Sequence, residues 1–541
     1  MNKKISAGTL IFLTALFLVV ADNYRFFVNV LAGYPLSLKN IGFLISLAVV
    51  FCCFLIIFFN LLSSKFTTKP VLIFSVLTAS LISYFANTYN VIIDDTMLQN
   101  TFETNISETA DLLNIKLFLY VFILGIIPAY LIYKTRLKDT RIKQAITGKI
   151  LHSVIALIII VAALFSFSSF YASFLREHKP LRFYTNPTYA YYSAGKFLLE
   201  KLNNPTVELK QIGLDAQRNA ENPGRKLSIV VVGEAVRADR FGLNGYARNT
   251  TPLLSKEDII NFPEMYSCGT TTAISVPCMF SILDRNDYSD KKAKSTENVL
   301  DVLNHAGVHV LWRDNNSSSK GVADRVRYED YRSATLNKRC AGECRDEGML
   351  DGLQNFINQQ KTGDILIVLH QMGNHGPAYY KRYPQQFEKF GPVCATNQLE
   401  ECRPEEVGNA YDNAILYTDH FLQQAIELLK QNDKSFQTAL IYMSDHGESL
   451  GEGGLYLHGM PYFIAPEAQK HVASFLWLGA QSKSQIDMQK LKQVAGQPWS
   501  QDNLFHTLLG LMQIKTHVYD PKEDLLATVR HSSGIYTALT Q

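Results

Sequence analysis

The chain has 541 residues, and its 52 Lys and Arg against 49 Asp and Glu leave a net charge of +3. That balance excludes a dedicated nucleic-acid binder, which would carry a concentrated basic surplus. A charged fraction of only 19% beside 47% hydrophobic residues excludes an extensively disordered chain.

A mean hydropathy near zero conceals two unlike halves. Five stretches without Asp, Glu, Lys or Arg run from Ile5 to Ala21, Asn40 to Ser64, Pro70 to Ile93, Leu117 to Tyr133 and Ile150 to Leu175. Each approaches or exceeds the ~17–25 residues that a helix needs to cross a bilayer core. They predict a five-helix transmembrane domain over 1–175. The first is expected to be retained as an anchor, because Val20-Ala21-Asp22-Asn23 offers no small-x-small cleavage site. Basic residues set the orientation. Lys3 and Lys4 precede the first stretch, Lys65 and Lys69 follow the second, and Lys134, Arg136, Lys138, Arg141, Lys143 and Lys149 follow the fourth. The loop after the third is acidic, with Asp94, Asp95, Glu103, Glu108 and Asp111. The N-terminus is therefore expected in the cytoplasm and everything after the fifth stretch on the far side of the membrane.

Cysteine usage agrees with that placement. Cys52 and Cys53 lie inside the second stretch, and the other six fall in close pairs: Cys268 with Cys278, Cys340 with Cys344, Cys394 with Cys402. An even number in an oxidising compartment reads as disulfides. Neighbour pairing is the simplest of the fifteen connectivities six cysteines allow.

Residues 176–226 are polar and punctuated by Pro180, Pro187, Pro205 and Pro223. Arg182-Phe183-Tyr184 and Tyr189-Ala190-Tyr191-Tyr192 mix rings with basic residues, so the linker contains either an interfacial segment or an ordinary tether with exposed tyrosines. From 227 to 541 the pattern changes. Leu227–Gly233, Val308–Trp312, Asp364–Leu369 and Thr438–Met443 are apolar enough for strands buried on both faces. Glu297–His305, Glu347–Asn358 and Asn409–Leu429 are helical between them. The alternation predicts an α/β domain with a mostly parallel sheet, whose chemistry lies beyond the carboxyl ends of its strands.

Those ends are rich in ligands. The first strand leads into Glu234, the last into Ser444-Asp445-His446-Gly447-Glu448-Ser449, and the third into His370 and then Gly373-Asn374-His375-Gly376-Pro377; His458 follows in Tyr456-Leu457-His458-Gly459. Asp, Glu and His together suit Zn²⁺ or a similar divalent ion. A single such residue would be an ordinary turn or cap, but three strand ends make a site. The hydroxyl run Thr270-Thr271-Thr272 precedes a helical pattern over Ala273–Leu283. A threonine there faces the positive end of the helix dipole, and beside a metal it becomes a candidate nucleophile.

Glu234 after a strand, Cys-Gly-Thr-Thr-Thr-Ala-x-Ser-Val-Pro-Cys over 268–278, Trp312-Arg313-Asp314-Asn315-Asn316, Gly-Asn-His375-Gly-Pro and Ser-Asp-His-Gly-Glu-Ser over 444–449 resemble the phosphoethanolamine transferases. More narrowly they resemble the lipid A-modifying group that includes the mobile colistin-resistance enzymes. The resemblance covers nearly the whole chain. It implies an alkaline-phosphatase-like α/β/α fold in the periplasm, anchored in the bacterial inner membrane. It further implies a zinc held by Glu234, Thr272, Asp445 and His446, with Thr272 as nucleophile. His375 and His458 would serve the substrate head group or a second zinc, and Asn316 and Lys320 the phosphoryl group. Asn100, Thr104 and Glu108 match positions the family uses for the ethanolamine lipid, and their spacing of four puts them on one helical face.

The implied reaction is a double displacement. Thr272 attacks phosphatidylethanolamine, diacylglycerol leaves, and a lipid A phosphate then takes the phosphoethanolamine, with His375 or His458 moving the proton. The enzyme would act as a monomer and raise polymyxin and colistin tolerance. Transfer to core sugars or another acceptor is the nearest alternative. A sulfatase would need a Cys/Ser-x-Pro-x-Arg motif, whereas Cys278 is followed by Met279-Phe280-Ser281. A glycerol-phosphate polymerase would leave three close cysteine pairs unexplained, and a zinc-bound membrane sensor would need no nucleophile.

Overall fold

The computed structural model describes residues 4–103, 111–202, 208–219 and 224–531. The chain divides into two compact units, one formed by Met1–Leu98 with Leu112–Leu199, the other by Gln99–Asp111 with Glu200–Gln541.

In the first unit four helices are long and apolar enough to cross a membrane: Ile41–Leu62, Thr68–Tyr89, Ile115–Lys134 and Ile142–Ser166. A fifth crossing exists if Ala7–Ala21 and Tyr24–Gly33, bent by 56° at their junction, make one span. These helices lack a polar face because their sequences lack one. Ile142–Ser166 buries only Ala156 and leaves Ile150, Leu151, Leu157 and Ile158 exposed, which suits lipid and not water. The last apolar stretch was expected to run as one piece from Ile150 to Leu175. Its helix instead starts eight residues earlier, among the basic residues, and breaks at Phe167 before a separate helix over Ser168–Glu177. Charge-free runs mark the part of a helix that lipid covers, whereas hydrogen bonding sets where the helix ends.

Polar side chains at the helix ends fasten residues beyond Glu177 to this unit. Asn186 Nδ2 donates to the Asp22 and Ala79 carbonyls at 2.9 and 2.8 Å, and Asn23 Nδ2 donates to the Asn186 carbonyl at 2.7 Å. The helix Thr188–Leu202 rests on Thr68–Tyr89 through Tyr191, whose hydroxyl lies 2.7 Å from that of Thr78.

The second unit is built on a seven-stranded sheet. Its strands are β1 (Lys226–Gly233), β2 (Ile259–Asn261), β3 (His309–Asp314), β4 (Arg327–Asp330), β5 (Ile365–His370), β6 (Gln437–Ser444) and β7 (Ser474–Leu478). The spatial order is β2-β7-β6-β1-β5-β3-β4. The sheet is mixed. Pairings from β6 through β1, β5 and β3 to β4 are parallel, while β7 joins β6 and β2 joins β7 antiparallel at one edge. The four strands expected from sequence form its centre and pair in parallel; β4 extends the parallel run on one side, and β7 and β2 add the antiparallel edge on the other.

Alternate residues of β1 face opposite layers. Leu227, Ile229 and Val231 pack with Leu353, Phe356, Tyr411, Phe421 and Leu422, while Val230 and Val232 pack with Val276, Met279, Leu300, Leu504 and Leu508. The helices behind those contacts, Leu353–Gln359 and Pro404–Asn432 on one side, Thr272–Phe280, Val299–His305 and Leu504–Leu511 on the other, complete an α/β/α sandwich. All six expected cysteines are paired as neighbours, Cys268–Cys278, Cys340–Cys344 and Cys394–Cys402, and Cys52 and Cys53 are free.

Candidate active site

Register brings the ligand residues together. Gly233 pairs with Ser444 across β1 and β6, and Val232 pairs with His370 across β1 and β5, so the residues leaving these strands emerge side by side. Glu234 and Asp445 are the next residues on β1 and β6, and both are fully buried. The chain turns sharply there: Ala235 has φ +57°, a conformation that costs a non-glycine residue about 1 kcal/mol or more. The Tyr411 hydroxyl holds that turn, donating to the Ala235 carbonyl and accepting from the Arg237 amide. Behind it Gly373, with φ +47°, packs so close that a Cβ would lie 3.0 Å from the Glu234 Cβ and carbonyl oxygen.

Asp445 is used asymmetrically. Its Oδ1 accepts from the amides of Ala235 (3.1 Å) and His446 (2.7 Å), whereas the buried Oδ2 accepts no hydrogen bond from the described residues and lies 3.3 Å from His446 Nε2. His446 Nδ1 lies 2.9 Å from the Gly447 carbonyl. A carbonyl only accepts, so Nδ1 carries the proton and the Nε2 lone pair points inward. That lone pair is 3.5 Å from Glu234 Oε1 and 3.3 Å from the Thr272 hydroxyl, which is itself 3.2 Å from Glu234 Oε2. Glu234, Asp445 and His446 thus turn ligand atoms within 4.8 Å of one another. Two carboxylates and an imidazole lone pair converge where the Thr272 hydroxyl supplies one proton. A cation stabilises such an acceptor-rich, buried set. The donor set therefore fits a divalent metal, and one nitrogen with oxygens suits zinc.

Thr272 opens the helix Thr272–Phe280, with Thr271 as an extended N-cap residue. Its hydroxyl therefore sits where the helix dipole favours negative charge. Asn316, beyond the end of β3, donates through Nδ2 to Glu234 Oε2 and to the Gln371 carbonyl, both at 2.7 Å, so it braces the Glu234 carboxylate. Asp314 fixes that turn by accepting from the amides of Asn316 and Ser318, and its other oxygen faces His370 Nδ1 at 2.9 Å. Burial opposes ionisation of Asp314, but His370 more than compensates and holds the carboxyl below the usual range.

Three histidines lie together at the site. The rings of His446 and His458 are 4.1 Å apart and those of His375 and His458 6.0 Å. His458 Nδ1 lies 3.0 Å from Glu448 Oε2, and the other Glu448 oxygen accepts from Tyr379 at 3.0 Å. That carboxylate orients His458 as a second-layer partner orients a catalytic imidazole. Burial, then the positive charge of Arg382, holds His375 well below the ordinary imidazole value, and burial lowers His446. Arg382 also donates to the His375 carbonyl at 2.6 Å while paired with Asp111 and Glu343.

Of the residues anticipated from sequence, Glu234, Thr272, Asn316, His375, Asp445, His446 and His458 gather here. Lys320 is buried and lines a cleft of about 420 Å³ together with Pro277 and Ser281 from the far end of the Thr272 helix. Asn100 lies on the helix Asp95–Glu103, while Thr104 and Glu108 lie outside the described residues. Sequence reasoning passed over Gln501. This buried side chain donates to the Ser444 and Asp445 carbonyls and accepts from the Cys268 amide, each at 2.7 Å, so it ties the segment of Asp445 and His446 to the segment leading to Thr272. No local pattern marks it.

Comparison with known proteins places these features in context. Residues 51–202 match the family model described as phosphoethanolamine transferase EptA/EptB, and residues 226–514 match the sulfatase model. The chain is 44% identical over 486 residues to phosphatidylethanolamine transferase Mcr-2 of Escherichia coli, covering 88% of this chain and 90% of that protein. It is 41% identical to phosphoethanolamine transferase EptA of Escherichia coli strain K12, over 96% of both chains. Among solved structures it is similar to the integral membrane lipooligosaccharide phosphoethanolamine transferase A of Neisseria meningitidis, with a TM-score of 0.94 and 34% identity over 98% of this chain and 100% of that one.

Proposed function

The chain belongs to the phosphoethanolamine transferase family, and from that premise we propose that it moves phosphoethanolamine from phosphatidylethanolamine to a phosphate of lipid A through a covalent phosphothreonine at Thr272. The observation that carries the reading is the Thr272 hydroxyl at a helix N-terminus, within 3.3 Å of both Glu234 and His446.

Glu234, Asp445 and His446, with Thr272, would hold a zinc ion. When bound, zinc lowers the hydroxyl pKa and neutralises charge developing on the phosphoryl oxygens. The residues do the rest. Thr272 Oγ1 forms the new bond to phosphorus as the bond to the diacylglycerol oxygen breaks. In the second step a lipid A phosphate oxygen takes the phosphorus and Thr272 is released. His458, its Nδ1 proton turned to Glu448, presents the Nε2 lone pair as the atom that takes up the proton Thr272 loses and hands it to the leaving alkoxide. His375, held neutral by burial, offers a second imidazole for the ammonium-bearing head group or the returning proton. Asn316 keeps Glu234 oriented through both steps.

The proposed organisation is a transmembrane domain over 1–175 with five spans, the bent pair counting as one, a connecting segment over 176–226 and a catalytic domain over 227–541. The distribution of Lys and Arg supports a cytoplasmic N-terminus and a periplasmic site in a Gram-negative inner membrane. Membrane anchoring then confines the search for two lipid substrates to a surface. The working unit is a monomer.

Mass spectrometry of lipid A from a host with and without this chain tests the proposal. An added phosphoethanolamine is expected, absent with Thr272→Ala. Each transfer turns a phosphate monoester into a diester and adds an ammonium, so the modified phosphate is nearly neutral. An ion pair is worth about 1 kcal/mol in water at ~4 Å. A polymyxin making several such contacts loses tenfold for every ~1.4 kcal/mol, and tolerance to it is expected to rise. Unmodified lipid A with the protein present in the membrane would assign the acceptor elsewhere.

A further inference from the structure

The opposite edge of the same sheet carries a second charged feature, far from the chemistry. Lys226 opens β1 and Glu234 follows its last residue, so at ~3.3 Å per residue the two edges are roughly 25 Å apart. Lys226 is 2% exposed, and among the described residues its ammonium has no hydrogen-bond or ion-pair partner. It lines a small polar recess of about 30 Å³ together with Ser228, Ser482, Gln485, Gln513 and Arg530.

Among the described residues the charges around that recess do not balance. Among its lining residues Lys226 and Arg530 are cationic and none is a carboxylate. The nearby acids are committed: Asp524 accepts from Arg530 Nη1, the Tyr519 hydroxyl and the Leu526 amide, and Asp364 accepts from Arg218 and the Lys226 amide. An ammonium taken out of water without a partner costs several kcal/mol. Burial holds Lys226 below the usual lysine value, with Asp364 opposing and Arg218 assisting that shift.

We propose that this recess binds a single small monovalent anion of halide size between Lys226 and Arg530. A recess needs only roughly 10–15 Å³ to hold one water, so about 30 Å³ admits a monatomic halide. The amide and hydroxyl groups of Gln485, Gln513 and Ser228 supply the neutral donors that a halide also accepts from. The anion fastens the C-terminal segment around Arg530, which pairs with Ile486 in an isolated bridge, onto the first residue of the central strand. Its role is structural, since the transfer site lies at the other edge.

Crystals of the full-length protein soaked in sodium bromide test this directly. An anomalous peak is expected in the recess of the wild type and is expected to vanish in Lys226→Met, which keeps the length of the side chain and removes the charge. In detergent, at constant ionic strength with gluconate replacing chloride, the wild-type unfolding midpoint is expected to rise by about 3 °C for each tenfold increase of chloride above its dissociation constant. Lys226→Met should lose that dependence and retain transfer activity. Absence of bromide from the wild-type recess overturns the proposal, and so does a peak that persists in Lys226→Met, which would mark an adventitious ion only. Equal midpoints in chloride and gluconate would also overturn it. The wild-type bromide map decides the question even if the variant fails to fold.

Discussion

Replacing Gln501 with alanine removes three hydrogen bonds at once, all of 2.7 Å and all to backbone groups that flank the proposed site. The Cys268 amide and the Ser444 and Asp445 carbonyls are left without that partner inside a buried region, and each such group costs about 1–3 kcal/mol. The loss is therefore roughly 3 kcal/mol at the least, a large share of the 5–15 kcal/mol that holds a typical domain folded. At about 2–4 °C per kcal/mol the unfolding midpoint of the purified protein should fall by roughly 6 °C or more. Transfer activity should fall with it below the melting range, because Asp445 and the segment leading to Thr272 lose their common tie. Gln501→Glu sharpens the test. A carboxylate there faces two carbonyl acceptors, so it must be protonated to donate, and its folded pKa is raised above the unfolded value of ~4.3. Stability conferred by the protonated form is present below the unfolded pKa and is lost as pH rises through the folded one. Gln501→Glu should therefore be less stable than wild type at neutral pH and recover in mild acid. A fall of less than about 2 °C for Gln501→Ala, with full activity at every pH, would refute this account of how the site is held.

Thr272→Ala should abolish transfer with the fold and metal content retained, and Thr272→Ser should keep part of it; full activity in the alanine variant, measured by lipid A mass spectrometry, would remove the covalent step. Glu234→Ala, Asp445→Ala and His446→Ala should each lower bound zinc, measured by elemental analysis, and a chelator should silence the wild type reversibly. Thiol labelling of the denatured, non-reduced protein should find Cys52 and Cys53 alone, and six further thiols would contradict the three pairs.

Much of this protein is legible in one dimension because its strongest signals are local. A run such as Ile41–Leu62 has only Ser46 and Asn60 as polar residues, both buried and too few to make a face toward water, so its environment follows from composition. β1, β5 and β6 are nearly continuous aliphatic runs, and that alone implies burial on both faces with chemistry at their ends. Thr272, Asp445 and His446 stand out as candidates because hydroxyl and ligand residues at strand and helix termini are conspicuous in sequence. The boundaries of the last apolar helix and the antiparallel edge, β7 and β2, are not, since helix ends depend on hydrogen bonding and an edge strand on which neighbour it meets.

What tertiary structure alone decided is which atoms meet. Ala235 and Asp445 are 210 residues apart, and only the parallel register of β1 and β6 sets the Asp445 carboxylate against the amides, leaving Oδ2 to face His446. The tautomer of His446 follows from a carbonyl contact, and the orientation of His458 from a glutamate backed by Tyr379. Gln501 belongs to no motif, yet it joins two segments that lie far from it in the chain. Such contacts are specified by distances of about 3 Å between residues remote in sequence. A linear pattern records the residue types that can make them, whereas the packed sheet determines which pairs do.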